Sequence, residues 1–317
     1  MASALRRSAL CGWDGDVSAP KSSLNFTSQP LSVSRQLMPR REQLRPEPSS
    51  GPPARQEPPK DWTHYQLWTR VREAVRSLPD HFKSSTNIEG MLATDIFTLN
   101  AALGATIEEQ VVYSLNGLRS VWDPDKRYET WAFERQPQTF PDVVLRRRTD
   151  GQEILMGIEL KGWYLLAKEG MPNFRFTVTP ACCNPWDLIV VVPWALSNVL
   201  AGTPVVYAPF VELARYASEQ RNFYWQHERE ARGTMTIVLA SGVGPYPRKS
   251  DQISDRPNAD AGGNFGRLAR YGIMSEYVTE MKRTPLRGIP VAAWLDFFRR
   301  HAAESPEPQN EPSTRSA

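Results

Sequence analysis

The stretch "DLIVVVPWAL", residues 187–196, limits the possible folds of this chain more than any other. Every residue after Asp187 is apolar, and Ile189 and the three valines that follow it are β-branched. Such a run is typical of a central strand that is covered on both faces. The sequence therefore predicts a β-sheet with this segment near its centre and helices packed against it.

The segments ahead of this strand have helical and then strand-like patterns. Asp61 is the expected N-cap of a first helix, and apolar residues recur at helical spacing in two stretches: Leu67, Val71, Val75 and Leu78, then Leu103, Ile107, Val111 and Leu115. Strand-like patterns follow in "YETWAFER", "TFPDVVLRRR", "QEILMGIELKGWYLL" and "FRFTV". Asp150-Gly151 separates the second of these from the third and predicts a hairpin.

The remainder of the chain adds mainly helices. Helical patterns are present in "PFVELARYASEQRNFYWQHERE", "NFGRLARYGIMSEYVTEMKR" and "VAAWLDFFRRHAA", while "GTMTIVLAS" has a strand-like pattern. A long loop full of turn-forming residues occupies 245–263. Helices, then four or five strands, then mixed elements predict an α/β or α+β sheet flanked by helices. We expect an α/β fold with additional C-terminal helices.

Composition separates the two ends of the chain from its middle. Residues 1–60, rich in Pro, Ser and Arg, and residues 302–317 lack apolar periodicity. We therefore expect two disordered tails around a single domain at 61–301. Residues 1–60 carry nine basic and five acidic side chains, and the remaining residues carry 29 and 30. The domain is not basic as a whole, so a nucleic-acid site must depend on local clusters.

Several classes of protein do not fit this sequence. It has no apolar run of about 18 residues, so no membrane span is expected. Cys11, Cys182 and Cys183 have neither a disulfide nor a zinc-site spacing, and the four histidines are scattered. The adjacent cysteines are expected to pack as small apolar residues. A reducing cytoplasm is the expected location.

The segment "GIELKGW", residues 157–163, carries charge within an apolar strand. Alternation places Glu159 and Lys161 on one face of the strand. If the Asp-Gly turn closes a hairpin, Asp142 lies across from Glu159. Two facing carboxylates repel each other unless a cation lies between them, and Mg²⁺ is commonly held by one or two carboxylates with water and phosphate. Lys161 would orient a water molecule or stabilise the transition state of phosphodiester hydrolysis.

These residues resemble the signature of the PD-(D/E)XK nucleases, the restriction-endonuclease-like superfamily. Pro141-Asp142 is followed, seventeen residues after the Asp, by Glu159-Leu160-Lys161. The resemblance covers about residues 100–195. It implies a restriction-endonuclease-like mixed β-sheet core flanked by helices, with a divalent metal ion at Asp142 and Glu159.

The resemblance also implies an acidic residue on the helix before the first core strand. Glu108 fits this role, and Glu109 is the alternative. The expected catalytic set is then Asp142, Glu159, Lys161 and Glu108, of which the three carboxylates are the expected metal ligands. Mg²⁺ is the implied cofactor, with Mn²⁺ as a substitute. The implied activity is that of a type II-like restriction endonuclease, acting on double-stranded DNA as a homodimer.

Other interpretations of the same residues remain open. A structure- or damage-directed repair or defence nuclease of the same fold would carry the same motif. A non-catalytic nucleic-acid-binding or protein-interaction domain would need no metal. Glu159 and Lys161 would then be a solvated strand face, and Glu108 would lie on the exposed side of its helix.

Basic residues in three places are candidates for contacting DNA phosphates. One pair follows Asp142 along its strand, where the solvated end of a hairpin is the alternative. A second pair lies in the long loop. A third pair lies one turn apart at an expected helix N-terminus, where a capped surface helix is the alternative. These pairs are Arg146 and Arg148, Arg248 and Lys249, and Arg267 and Arg270.

Overall fold

The computed structural model of the chain describes residues 51–136, 139–149, 153–229, 236–260 and 263–304, without the side chains of 302–304. Most of the two expected tails lies outside these ranges. Contacts with the domain begin ahead of residue 61, because Arg55 Nε donates a hydrogen bond to Glu212 Oε1 at 2.7 Å. Part of the segment expected to be a tail therefore packs on the domain.

A six-stranded mixed sheet forms the centre of the protein. Its first three strands are an antiparallel meander, the fourth is parallel to the third, and the last two both pair antiparallel with the fourth. Helices pack against this sheet, so the expected α/β class is confirmed. The strands are β1 (Trp131–Arg135), β2 (Val143–Arg147), β3 (Ile154–Tyr164), β4 (Leu188–Leu196), β5 (Pro204–Val206) and β6 (Phe210–Leu213).

Strand β4 is the central strand that its apolar sequence predicts. All nine of its residues are buried. It pairs with β3 along one edge and with β5 and β6 along the other. The chain needs an uninterrupted apolar run here because both faces of β4 are covered.

Seven α-helices are present in the described ranges, and none of them is both long and apolar enough to span a bilayer. Of the eight apolar positions that predict the first helices, seven are buried and Leu103 is half-buried. Two further pairs of short strands lie outside the main sheet: β7 (Ile237–Val238) with β8 (Arg256–Pro257), and β9 (Pro285–Leu286) with β10 (Ile289–Pro290). The helices are α1 (Tyr65–Arg76), α2 (Leu78–His81), α3 (Leu99–Gly117), α4 (Arg119–Trp122), α5 (Ala214–Phe223), α6 (Ser275–Arg283) and α7 (Val291–Glu304).

Some predicted element boundaries are wrong. Helix α1 begins at Tyr65 with His64 as its N-cap and no side-chain cap, so Asp61 does not cap it. The segment "PFVEL" is not the first turn of a helix, because most of it forms strand β6. The segment "FRFTV" forms isolated bridges instead of a strand. In these last two segments, pairing with distant residues outweighs the local pattern.

The helix expected from Asn264 begins only at Ser275. Gly266 and Gly272 have φ angles of +79° and +95°, which are incompatible with a continuous right-handed helix. Arg267 and Arg270 therefore precede α6, as the N-cap and the last residue of a one-turn 3-10 helix, Leu268–Arg270. The prediction that they lie at the N-terminus of the long helix is wrong.

Candidate active site

Pairing between β2 and β3 brings Asp142 and Glu159 together. Val143 pairs with Ile158. Because partners move in opposite directions along antiparallel strands, Asp142, which precedes Val143, faces Glu159. The expected pairing of the two strands is confirmed, although the turn at Asp150-Gly151 lies outside the described residues.

Lys161 contacts both carboxylates. Its Nζ lies 3.0 Å from Asp142 Oδ2 and 2.8 Å from Glu159 Oε1. Lys161 reaches them because it is two residues after Glu159 on the same face of β3. The two acids and the amine of the motif therefore meet at one point between adjacent strands.

Side chains cap the edge of β3 beyond the point where β2 ends. A buried backbone N–H needs an acceptor, and here three alternate N–H groups of β3 have side-chain oxygens as acceptors. Leu160 donates to Asp142 Oδ2 at 3.0 Å, Gly162 to Glu108 Oε1 at 3.2 Å, and Tyr164 to Asn100 Oδ1 at 3.1 Å. Glu108 and Asp142 are thus held two residues apart along the same strand edge.

One stripe of helix α3 faces this edge. Asn100, Gly104 and Glu108 follow each other at i, i+4 spacing, so they lie on the same side of the helix. A Cβ placed on Gly162 would lie 3.6 Å from the Gly104 carbonyl oxygen, which indicates close approach of helix and strand. Glu109 is exposed, so Glu108 is the acidic residue that faces the site. No role for Asn100 was predicted from the sequence, although its i, i+4 spacing from Gly104 indicates that it lies on the same side of the helix.

Glu159 is buried, with only 7% of its surface exposed. The interpretation of Glu159 and Lys161 as a solvated strand face is therefore wrong. Burial, together with the nearby Asp142, raises the pKa of Glu159 to about 7 against the opposing effect of Lys161. Burial also raises the pKa of Glu108, although Lys161 and the Gly162 N–H oppose the change.

Lys161 keeps its proton despite its position. Burial alone would lower its pKa, but the adjacent Glu159 and Asp142 carboxylates outweigh burial and raise the pKa well above the ordinary value. Lys161 is therefore a fixed ammonium group at neutral pH. It supplies positive charge and hydrogen-bond donors, and it has no lone pair with which to accept a proton.

Close contact between Pro141 and Gly157 fixes the position of Asp142. A Cβ placed on Gly157 would lie 2.3 Å from Pro141 Cγ and 3.2 Å from Asp187 Oδ1. The proline ring therefore lies directly over β3 at a position where only glycine leaves room. This contact holds the residue that follows Pro141 against Leu160 and Lys161.

We expect Gly157→Ala to displace Pro141 and to lower the free energy of unfolding by roughly 1–3 kcal/mol, because a methyl group overfills a packed contact. Urea denaturation measures the change. Gly90→Ala is the matched control, since a Cβ at Gly90 meets no atom within 4 Å. Equal stability of the two variants would contradict the role of Gly157.

Asp187 lies beside the site and was given no role by the sequence. It is fully buried and accepts hydrogen bonds from the Gly157 N–H at 2.6 Å, the Asn184 N–H at 2.8 Å and the Tyr246 hydroxyl at 3.1 Å. Burial raises its pKa to about 6 against the effect of these donors. Because Glu159 pairs with Ile189 on the parallel strand, Asp187 and Glu159 lie on the same face of the sheet.

The arginine run after Asp142 does not lie beside the carboxylates. Arg148 is exposed and six residues from Asp142, which is roughly 20 Å along an extended chain. Arg146 Nε lies 3.7 Å from Glu134 Oε2 on the neighbouring strand. These positions fit the solvated end of a hairpin better than a phosphate contact near the motif.

The later basic candidates lie in the segments between α5 and α6. Arg248 and Lys249 are exposed in the long loop. Arg267 is half-buried, while Arg270 is exposed and donates a hydrogen bond to Asn264 Oδ1. Arg248 and Lys249 therefore lie in a loop, Arg267 caps a one-turn 3-10 helix that ends at Arg270, and at least part of each candidate pair faces solvent.

Within the described ranges, no three or more His, Cys, Asp or Glu side chains form a metal-binding group. The structure brings Asp142 and Glu159 together as a pair, with Glu108 further along the edge of β3. Cys182 and Cys183 are buried free thiols, as their apolar setting predicts.

No protein-family model, curated protein or solved structure matches this chain. The function must therefore be inferred from the residues and their geometry.

Proposed function

We propose that the protein is a Mg²⁺-dependent endonuclease of the PD-(D/E)XK superfamily that hydrolyses phosphodiester bonds in DNA. The proposal depends on one observation, the meeting of Asp142, Glu159 and Lys161 between paired strands. These residues are also the charged positions of the sequence signature. Asp142 is seventeen residues from Glu159 in the sequence, and it is the pairing of β2 with β3 that brings it beside Glu159 and Lys161. The sequence signature and the strand register therefore select the same three residues.

The order of elements supports the same proposal. Helix α3 presents Glu108, strand β1 follows, the β2–β3 hairpin carries the motif, and β4 extends the sheet. This is the order that the resemblance implies, so a restriction-endonuclease-like core is our finer description of the α/β sheet. A type II-like enzyme that cuts both strands of DNA needs two active sites, and we therefore propose a homodimer.

Asp142 and Glu159 fit a hard divalent cation. Mg²⁺ and Mn²⁺ need only one or two carboxylates when water and phosphate complete the coordination shell. A cation between these groups would stabilise the charged form of Glu159, which burial and Asp142 disfavour. When bound, the ion supplies Lewis-acid polarisation of the phosphate.

Lys161, Asp142, Glu159 and Glu108 would each have a separate role in the reaction. The Lys161 ammonium donates hydrogen bonds to the phosphate and offsets the negative charge that develops on it. Asp142 and Glu159 orient that ammonium as well as the cation. Glu108, further along the edge, would accept a proton from the attacking water; its side chain is 22% exposed, compared with 29% for Asp142 and 9% for Glu159, and burial raises its pKa.

Incubation of the purified full chain with plasmid and phage DNA tests the proposal. We expect cleavage with Mg²⁺ or Mn²⁺ and none after chelation with EDTA. Discrete fragments would support a sequence-specific enzyme, whereas products confined to branched or damaged substrates would support a repair or defence nuclease. Intact DNA with both cations, on double-stranded, single-stranded and branched substrates, would overturn the proposal.

A non-catalytic nucleic-acid-binding domain is the second candidate. It is favoured by the direct contact of Lys161 with both carboxylates, which offsets their charge without a metal. Calorimetry distinguishes the two candidates. For a nuclease we expect Mn²⁺ to bind and the double variant Asp142→Asn/Glu159→Gln to bind at least about tenfold more weakly.

Glu153→Gln is the control for this titration. Glu153 is an exposed acid on the same hairpin. It immediately precedes β3, at the end of the strand away from Glu159. Equal Mn²⁺ affinity in the control and the double variant, or no Mn²⁺ binding to the unchanged protein with DNA present, would favour the non-catalytic domain.

A further inference from the structure

Two loop regions, residues 172–179 and 236–271, pack against each other next to the candidate active site. We call their described part the loop module. The Asp255 N–H donates to the Thr177 carbonyl oxygen at 3.0 Å, and the Thr177 and Ser254 hydroxyls are 3.1 Å apart. Arg175 and Arg267 form a backbone bridge between the two regions. The module is therefore one structural unit built from distant parts of the chain.

The loop module presents positive charge to solvent. Each of its three acids has a partner: Asp255 pairs with the buried Arg221 of α5, Asp251 accepts from the Arg248 N–H, and Asp260 accepts from the Asn264 N–H. Its six basic residues are exposed except for one that is half-buried. They are Arg175, Arg248, Lys249, Arg256, Arg267 and Arg270.

Two contacts attach the loop module to residues that pack beside the strands carrying the carboxylates. The Tyr246 hydroxyl donates to Asp187 Oδ1, which also accepts from the Gly157 N–H. The Phe176 ring packs against Phe140, with ring centroids 6.4 Å apart. Gly157 and Phe140 each lie two residues before a motif carboxylate. The basic module is thus fixed beside the acidic site from both β3 and the segment leading into β2.

A DNA backbone needs such a surface if it is to approach this site. Carboxylates repel phosphates, and residues 61–317 carry one more acidic than basic side chain. Affinity for DNA comes mainly from neutralising its phosphates, so it must be supplied by a local basic cluster. In the described part of the chain, the loop module is a basic cluster whose contacts with Asp187 and Phe140 hold it beside the carboxylate-bearing strands.

We propose that the loop module binds the DNA phosphate backbone next to the bond that is cut, and that the Tyr246–Asp187 hydrogen bond sets its position relative to the carboxylates. The positioning role of the Tyr246–Asp187 hydrogen bond rests on the proposed nuclease function. DNA binding by the loop module does not, because binding is measurable without cleavage.

The first experiment measures the affinity of the full chain for a fluorescent DNA duplex in EDTA across a range of salt concentrations. Arg248→Ala and Lys249→Ala should each reduce the slope of log K against log salt by about 1, because each removes one phosphate contact. Arg283→Ala and Lys83→Ala, at exposed positions outside the module, are matched controls that should leave the slope unchanged. Equal slopes in all four variants, or no DNA binding by the unchanged protein, would overturn the proposed surface.

The second experiment tests the hydrogen bond. Tyr246→Phe removes only the hydroxyl group, so the basic residues remain and we expect the salt slope to stay the same. The cleavage rate at saturating DNA should fall by about tenfold to a hundredfold, because a small displacement of the bound phosphate is enough to misalign the reaction. Tyr207→Phe, at another half-buried tyrosine, should have no such effect.

The two experiments distinguish a failure of the loop module to bind DNA from a failure of the protein to cleave it. DNA left intact by the unchanged protein overturns the nuclease, and the salt-slope comparison still decides whether the module binds DNA. Cleavage by the unchanged protein at a rate that Tyr246→Phe does not alter overturns the positioning role alone.

Discussion

Replacement of Lys161 by methionine is expected to lower the rate of Mg²⁺-dependent DNA cleavage by about 100-fold or more, the effect of removing one preorganised donor from a charged transition state. Methionine keeps an unbranched side chain of similar length and removes the ammonium group. The 3.0 Å and 2.8 Å contacts to Asp142 and Glu159 are then lost. Single-turnover cleavage of a duplex measures the effect on the chemical step.

Stability must be measured beside the rate, because Lys161→Met leaves the buried Glu159 without its partner. The raised pKa of Glu159 limits this penalty, since the carboxyl group can take up a proton instead. A thermal unfolding curve shows whether the variant is folded at the assay temperature. Lys168→Met, at an exposed lysine just after β3, is the control and should cleave like the unchanged protein. Unaltered cleavage by folded Lys161→Met would remove Lys161 from the mechanism.

A companion variant separates charge from hydrogen bonding at Asp142. Asp142→Asn keeps an oxygen that can accept from the Leu160 N–H, so the edge of β3 stays capped. It removes the negative charge that would hold a cation. We therefore expect cleavage to fall while the unfolding transition changes little.

The central geometry of the site was predictable because it depends on short-range periodicity. Alternation along β3 places Glu159 and Lys161 on one face, and antiparallel pairing fixes which residue of β2 lies opposite. The apolar run of β4 likewise indicated its central place. These inferences need only the two-residue repeat of a strand and one turn signal.

The remainder of the site depends on contacts between distant segments, which periodicity does not encode. Asn100 reaches Tyr164 from a helix, and Tyr246 reaches Asp187 from a loop 59 residues away. The expected helix through Arg267 fails for a similar reason. A Cβ at Gly266 would lie 2.6 Å from Thr177 Cγ2, so tertiary packing sets the backbone there.

The buried ion pair between Arg221 and Asp255 connects segments that are far apart in sequence. Arg221 Nη1 donates to the Phe176 and Val178 carbonyl oxygens at 2.8 Å and 2.9 Å, and Nη2 lies 2.7 Å from Asp255 Oδ2. Its guanidinium also lies over the Phe265 ring, 4.6 Å from the centroid. Both charged side chains are almost completely buried. One side chain of α5 thus holds the two regions of the loop module together.

Arg221→Met is therefore expected to lower the free energy of unfolding by about 3–5 kcal/mol, because it leaves the buried Asp255 carboxylate without its opposite charge and two buried carbonyl groups without their donor. Urea denaturation measures the loss. Asp255 would retain the Asn222 amide and the Ala240 N–H as donors, at 2.9 Å and 3.2 Å, so the variant should still fold.

The exposed ion pair between Arg70 and Asp125 is the control for the stability loss in Arg221→Met. Arg70 Nη1 lies 2.8 Å from Asp125 Oδ2, with both side chains partly in solvent, so Arg70→Met should lower the free energy of unfolding by less than about 1 kcal/mol. Adding Asp255→Asn to Arg221→Met should recover part of the loss, because it removes the unpaired buried charge. If Arg221→Met is no more destabilising than Arg70→Met, the loop module is held by its apolar and backbone contacts. The attraction within the buried Arg221–Asp255 pair would then do little more than offset the cost of removing both charges from water.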